Sequence, residues 1–188
     1  MSKKNAGTGD NGTTSLFDGT KVPKDSAVIN ALGDLDECNS LIGYAMETFD
    51  WSTSPVNPDQ VKEVLSQIQK RLLDAGSHIA TPLTSSKAST YKIERTSFPK
   101  EIVTGLEDQT NSYDAILPKL TTFIIPGGKA AIFHVIRSVA RRAERSITPL
   151  VTHGDCSPTV SQYMNRLSDF FFVLSRLLSE KDSSYKKT

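Results

Sequence analysis

A chain of 188 residues has room for one domain, or two small ones, and can bury a hydrophobic core without staples. Its hydrophobic fraction of 37% lies toward the low side for a globular domain, and 22 Lys+Arg against 21 Asp+Glu leave it almost neutral. That balance excludes a general attraction for nucleic acid or an anionic membrane, so any anion site has to be built locally.

The two cysteines, Cys38 and Cys156, are too few and too far apart for a disulfide framework, and a reducing compartment is expected. Cys156 lies close after His153, but one Cys/His pair is too few ligands for zinc. No apolar run is long enough to span a membrane, and Met1–Asn5 lacks the apolar core of a secretory signal. A cytoplasmic protein is expected, with the mitochondrial matrix as the alternative if a transit peptide precedes this numbering.

Residues 1–22 hold Gly7, Gly9, Gly12 and Gly19 with no helical period, and read as a loop. A first helix is expected from about Lys24 to Phe49, with Val28, Leu32, Leu35, Ile42 and Met46 as its apolar stripe and Asn39 inside it. Asn57-Pro58 caps a second helix, whose face is Val61, Val64, Leu65, Ile68, Leu72, Ala75 and Ile79, and Pro82 stops it. Residues 83–96 read as a polar loop. A third helix starts near Ser97 and Pro99 and fades before Pro118. The run Phe123-Ile124-Ile125 is broken by Pro126-Gly127-Gly128. A fourth helix covers about Ala130 to Val151, with Pro149 near its end. Ser157-Pro158 caps a fifth, whose inner face is Val160, Met164, Leu167, Phe171, Leu174 and Leu178. Five amphipathic helices and no convincing strand imply an all-α bundle in a single domain: a head at 1–22, a bundle at 24–180 and a polar tail at 181–188.

Several groups of residues could carry chemistry. Thr8, Gly9, Asp10, Gly12, Thr14 and Ser15 form a Gly/hydroxyl head that can turn amides and hydroxyls toward an anion, with Lys21 and Lys24 close behind. The Walker and Rossmann patterns are both absent, and a flexible terminus is the competing reading. On the fourth helix His134, Arg137, Arg141 and Glu144 share a track beside the apolar face. Arginine grips phosphate through a bidentate fork and keeps its charge, although a solvated face of Arg–Glu pairs would look similar. Asp34, Asp36, Glu37 and Asn39 sit mid-helix, where Asp and Asn are poor formers. Asp36 could pair with an arginine of the fourth helix, and Asn39 needs a buried partner. Asn165-Arg166-Leu167-Ser168-Asp169 runs into Phe170-Phe171-Phe172, where Phe171 reads as core. Phe123, beside its glycine turn, faces either a flat apolar ligand or the core.

Thr8–Gly12, Pro23-Lys24-Asp25, Ala31–Ser40, Ile68-Gln69, Ala80-Thr81-Pro82, Phe123–Gly128, His134–Arg145 and Asn165–Phe171 follow one another along nearly the whole chain. In that order they resemble the trimeric, five-helix family of ATP:cob(I)alamin adenosyltransferases. Arg141-Arg142-Ala143-Glu144-Arg145 and Asn165–Asp169 are the most specific strings. The resemblance implies a five-helix bundle with ferritin-like up-down packing, an ordered head, and a homotrimer. It implies transfer of the 5′-deoxyadenosyl group of ATP to reduced cobalamin, with Mg²⁺ on the phosphates rather than on protein ligands. The product would serve a corrinoid-dependent mutase or dehydratase.

By the same resemblance, the head with Thr14, Ser15 and Lys24 wraps the triphosphate at a subunit boundary. Arg141, Arg142, Glu144, Arg145 and Asn165 bind the nucleotide from the neighbouring subunit. Arg137 pairs with Asp36 across that boundary. Phe123, with Asp169, belongs to the corrinoid side, where Phe123 helps to exclude the lower axial ligand. Two places depart from the family pattern: Ala6 and Gly7 stand where a hydroxyl and a cation are usual, and the stretch from Gly128 to His134 is short. Reduced cobalt is its own nucleophile, so the absence of a side-chain nucleophile fits. The rivals are a helical phosphotransferase, for which no acid or base stands out near a γ-phosphate, a non-catalytic ATP- or corrinoid-binding module for delivery or regulation, and a plain interaction bundle.

Overall fold

The computed structural model describes Gly7 and residues 9–179. Thr8, Ala6 and the polar tail lie outside the described residues.

The head is not all loop. Thr13–Ser15 (β1) pairs antiparallel with Lys21–Pro23 (β2), Thr14 opposite Val22. The strands are three residues each, too short to show an alternating pattern, which is why a strand was not expected. Their turn is closed by Asp18, whose carboxylate accepts from the Thr20 amide and hydroxyl at 2.8 Å each and from Ser85. Burial alone would raise the Asp18 pKa, but these hydrogen bonds together outweigh it and hold the carboxyl below its usual range.

The helices follow as α1 (Ala27–Thr48), α2 (Pro58–Ile79), a short α3 (Thr90–Arg95), α4 (Lys100–Asp114), α5 (Ala131–Thr152) and α6 (Pro158–Leu177). α1 begins later than the expected Lys24. The Lys24 amide donates to the Gly12 carbonyl at 2.9 Å, and Ser26 remains extended as the cap. α3 interrupts the expected 83–96 loop. Ser89 caps it by accepting from the Lys92 amide, and a helix of six residues presents no stripe to read. α2 and α6 start as their Asn-Pro and Ser-Pro pairs require: Asn57 accepts from the Asp59 amide at 2.9 Å, and Ser157 from Thr159 at 3.3 Å. Pro149 lies within the last turn of α5.

The apolar stripes converge on one core. Leu35, Cys38 and Ile42 of α1 meet Leu65, Ile68 and Leu72 of α2, Ile136, Ala140, Ala143 and Ile147 of α5, and Met164, Leu167, Phe171 and Leu174 of α6, all buried. Full burial of each large apolar side chain contributes roughly 1.5–3 kcal/mol. Phe171 is core as expected, stacked on Phe133 with ring centroids 6.5 Å apart. Val28, Leu32, Met46 and Val64 pack only at its margin. Asn39 finds its expected partner in α2: its amide nitrogen donates to the Gln69 carbonyl at 3.5 Å, while the Gln69 side chain donates to the Asn39 carbonyl at 3.1 Å.

Asn39 bonds Gln69 while Leu32 lies beside Gly76, Glu37 bonds Arg142 while Asp34 bonds Ser146, and Glu144 bonds Asn165 while Phe133 stacks on Phe171, so the neighbours α1/α2, α1/α5 and α5/α6 run antiparallel, the up-down arrangement. The bundle therefore has two distinct ends. At one, the head hairpin hangs on α2 through the Phe17 amide, which donates to the Ala80 carbonyl at 3.0 Å. There the His78 ring joins three helices: Nδ1 donates to the Thr96 carbonyl and Nε2 accepts from the Ser157 amide, both at 2.9 Å. At the other end, Phe49, Trp51 and Phe133 cluster beneath the 115–130 loop that carries Phe123.

Candidate functional site

The head is built around its glycines. Gly12 has φ +79°, a conformation side chains disfavour, and a Cβ on Gly9 would stand 3.0 Å from the Lys24 Nζ. The Lys24 ammonium thus lies across Gly9, beside the start of β1. Asp10, Gly12 and Thr13 spend their amides within the head, on Gly7, Gly9 and Asn11 respectively. Among the donors left for an anion are the Lys24 ammonium and the hydroxyls of Thr14 and Ser15, none of which has a hydrogen bond among the described residues.

The α5 track resolves into side chains with different surroundings. Arg141 is exposed and its guanidinium has no partner among the described residues. Arg145 is also exposed and donates to the Arg141 carbonyl at 3.0 Å. Glu144 accepts from the Asn165 amide at 3.1 Å, joining the two most specific strings of the sequence across α5 and α6. Arg166 holds Glu107 of α4 at 2.5 Å and Asn165 at 2.7 Å, and reaches the exposed Asp169 at 3.9 Å. Asn165 is therefore oriented from both sides.

Arg142 behaves differently from the arginines beside it. Within the same chain its Nε donates to Asp34 at 2.9 Å, and its NH2 to Glu37. The bond it donates to Asp34 is the main reason its pKa stands above the ordinary arginine value. An arginine of α5 does pair within the chain with the acidic cluster of α1, but through Asp34 and Glu37 rather than Asp36. Residues 34 and 37 lie within about 60° on a helix, whereas Asp36 is turned about 200° from Asp34. Asp36 is exposed, on a groove with Asn39, Leu73 and Phe17.

Arg137 lies at the other end, in the wall of a cavity of about 590 Å³ that Phe123, Thr121, Thr122, His134 and Phe172 also line. Its Nε is buried without a hydrogen-bond partner among the described residues. Phe123 is 83% exposed, so it does not plug the core. Thr121, Thr122 and Phe172 were not singled out by sequence; Phe172 adjoins a core phenylalanine, and no local pattern marks the two threonines. Burial pushes the Cys38 and Cys156 thiols up to about 12, so neither is a nucleophile at neutral pH. No group of three or more His, Cys, Asp or Glu side chains among the described residues is placed to hold a metal ion, and none of the described helices is long and apolar enough to cross a membrane.

An up-down helical bundle with a Gly/Lys head at one end, an arginine track along α5 and a partly apolar cavity at the other defines a class of helical proteins equipped for a polyanion and a bulky second ligand. The profile of the cobalamin adenosyltransferase family matches residues 5–178, and the chain belongs to that family. It is 40% identical over 182 residues to corrinoid adenosyltransferase MMAB of Mus musculus, covering 96% of this chain and 74% of that protein. It is 41% identical over 180 residues to the corrinoid adenosyltransferase of Mycobacterium leprae, covering 90% and 87%. Its fold matches a variant PduO-type ATP:corrinoid adenosyltransferase from Lactobacillus reuteri complexed with cobalamin and ATP. The TM-score is 0.85 at 30% identity, over 98% of this chain and 100% of that one.

Proposed function

We propose that this chain transfers the 5′-deoxyadenosyl group of ATP to the cobalt of a reduced corrinoid, in sites shared between neighbouring subunits of a trimer. The observation that carries the shared site is the placement of the two halves. The head sits where α1 begins and the Phe123 cavity where α1 ends. α1 has 22 residues, about 33 Å of helix. Cobalt and the 5′ carbon must approach to roughly 3–3.5 Å for reaction, so one chain cannot hold triphosphate on its head while presenting corrinoid from its own far cavity. A neighbour rotated about a closed axis brings the head of one subunit to the α5 track of the next. The buried donor of Arg137 and the exposed Asp36 carboxylate are complementary groups for that boundary.

In this reading the Lys24 ammonium and the Thr14 and Ser15 hydroxyls hold the phosphates from one side. Arg141, Arg145 and the Asn165–Glu144 pair hold the nucleotide from the other. Mg²⁺ arrives on the phosphates. The cobalt electron pair forms the Co–C5′ bond as the C5′–O bond breaks, and triphosphate carries away the electrons of that bond. The protein aligns the two centres and stabilises the charge on the leaving group. Phe123 and Phe172 provide the apolar wall facing the corrinoid.

The shared site makes a test by mixing possible. Lys24→Ala and Arg141→Ala proteins are each expected to be nearly inactive. Unfolded together in equal amounts and refolded, they should recover about a quarter of wild-type activity, because one boundary in four then joins an intact head to an intact track. A mixture no more active than its parents would place both residues in one subunit's site and refute the shared arrangement.

A further inference from the structure

We infer that Arg176 is a positioning residue that fixes the 115–126 loop, and with it Phe123, against the mouth of the far cavity. This rests on the corrinoid reading of that cavity.

Arg176 stands in the last turn of α6 with its side chain only 4% exposed, an unusual place for a guanidinium. Its NH2 donates to the Pro118 carbonyl at 2.7 Å. Its NH1 stands 3.6 Å from Asp114, the last residue of α4, whose side chain is 61% exposed. The carboxylate is thus largely hydrated while the guanidinium is not. An apolar side chain of similar length could fill the same space with no charge to desolvate. What an apolar side chain cannot do is hold the loop carbonyl.

The loop needs that hold. Phe123, 83% exposed, has no core packing to place it, so its position follows from its backbone, which is held after it by a bridge at Ile124 and before it at Pro118. Leu117 packs on the core, Pro118 follows, and Phe123 comes five residues later, a tether of up to about 17 Å if the loop were loose. Phe172 and Arg176 are one turn apart on the same face of α6. One helix face therefore supplies both a wall of the cavity, Phe172, and the latch for the loop that bears the opposite wall.

The test uses the full chain with Arg176→Met, Arg176→Lys and Asp114→Asn. Trypsin cleavage after Lys119, the exposed loop lysine next to Pro118, reports the latch without any ligand. It should accelerate about tenfold or more in Arg176→Met, the loss of a charge-assisted hydrogen bond. In the adenosylation assay the same variant should lose about tenfold in kcat with an unchanged KM for ATP, since the head and the α5 track are untouched. Bound cob(II)alamin should keep more of its lower-ligand-on spectrum than in wild type. Arg176→Lys should show the same directions with smaller size, and it decides the matter if Arg176→Met does not fold; Asp114→Asn should resemble wild type. Unchanged cleavage at Lys119, or faster cleavage with wild-type kcat and spectrum, would overturn the inference. A wild-type protein that forms no adenosylcobalamin would instead refute the transferase reading, with the protection of Lys119 still measured independently.

Discussion

Replacing Arg141 by alanine should abolish most of the adenosyl transfer while leaving the fold intact. Its side chain is exposed and has no partner among the described residues, so the substitution removes no hydrogen bond or ion pair among them. Stability should change by no more than about 0.5 kcal/mol. The loss falls on the triphosphate. A planar guanidinium can take two phosphate oxygens at once, and its charge is worth most where triphosphate develops as the leaving group. A fall of roughly 10²–10³-fold in kcat/KM is expected, the size of other preorganised charge contacts. Arg141→Lys should recover only part of it, having charge but no fork. Steady-state kinetics alongside thermal melting checks this. An Arg141→Ala protein with near wild-type kinetics would show that the α5 track is a solvated face.

The largest effect on stability is expected at His78. The ring is 2% exposed, and its two nitrogens satisfy the Thr96 carbonyl and the Ser157 amide that begins α6. His78→Ala strands both groups and leaves a void. Stranded buried polar groups cost about 1–3 kcal/mol each, so a loss of roughly 3–5 kcal/mol is expected with the void included. In a chain of this length that lowers Tm by about 10 °C.

The same ring gives a pH dependence. Burial depresses the His78 pKa, opposed by its bond to the Thr96 carbonyl, so the folded ring stays neutral in acid that protonates the unfolded chain. Below about pH 6.5, the unfolded value, the unfolded state takes up a proton that the folded state refuses. The contribution of His78 is therefore complete above that pH and declines as pH falls below it. Denaturant titrations across that range should show a shallower acid slope in His78→Ala than in wild type; equal slopes would contradict the neutral, doubly bonded ring.

His78 also shows where the sequence stops being readable. It follows Ala75 by one turn on the apolar face of α2, so its burial could be expected, but its partners come from residues 96 and 157, which no local pattern connects to it. The five long helices were legible because each carries a long stripe and two open on Asn-Pro or Ser-Pro caps. The hairpin of the head and α3 were not, since segments of three and six residues are too short to establish a period.

The site was legible in its residues and less so in its pairings. The arginine track and the acidic cluster stood out by charge on a helix margin. That Arg142 would choose Asp34 and Glu37 rather than Asp36 depends on the rotation of α1 against α5. Thr121 and Thr122 became visible only once the loop was seen folded over the cavity. Arg176 stands at a helix C-terminus, where a basic residue is ordinary, and no local pattern marks its burial or its bond to Pro118.

The most direct test of the central claim is an anaerobic reaction of the purified protein with ATP, Mg²⁺ and chemically reduced cobalamin, following the visible spectrum and released triphosphate together. The expected result is adenosylcobalamin and triphosphate in equal amounts, at a rate that Arg141→Ala largely removes. Tight binding of ATP or cobalamin with neither product would contradict it, and would make this chain a binding member of a family of transferases.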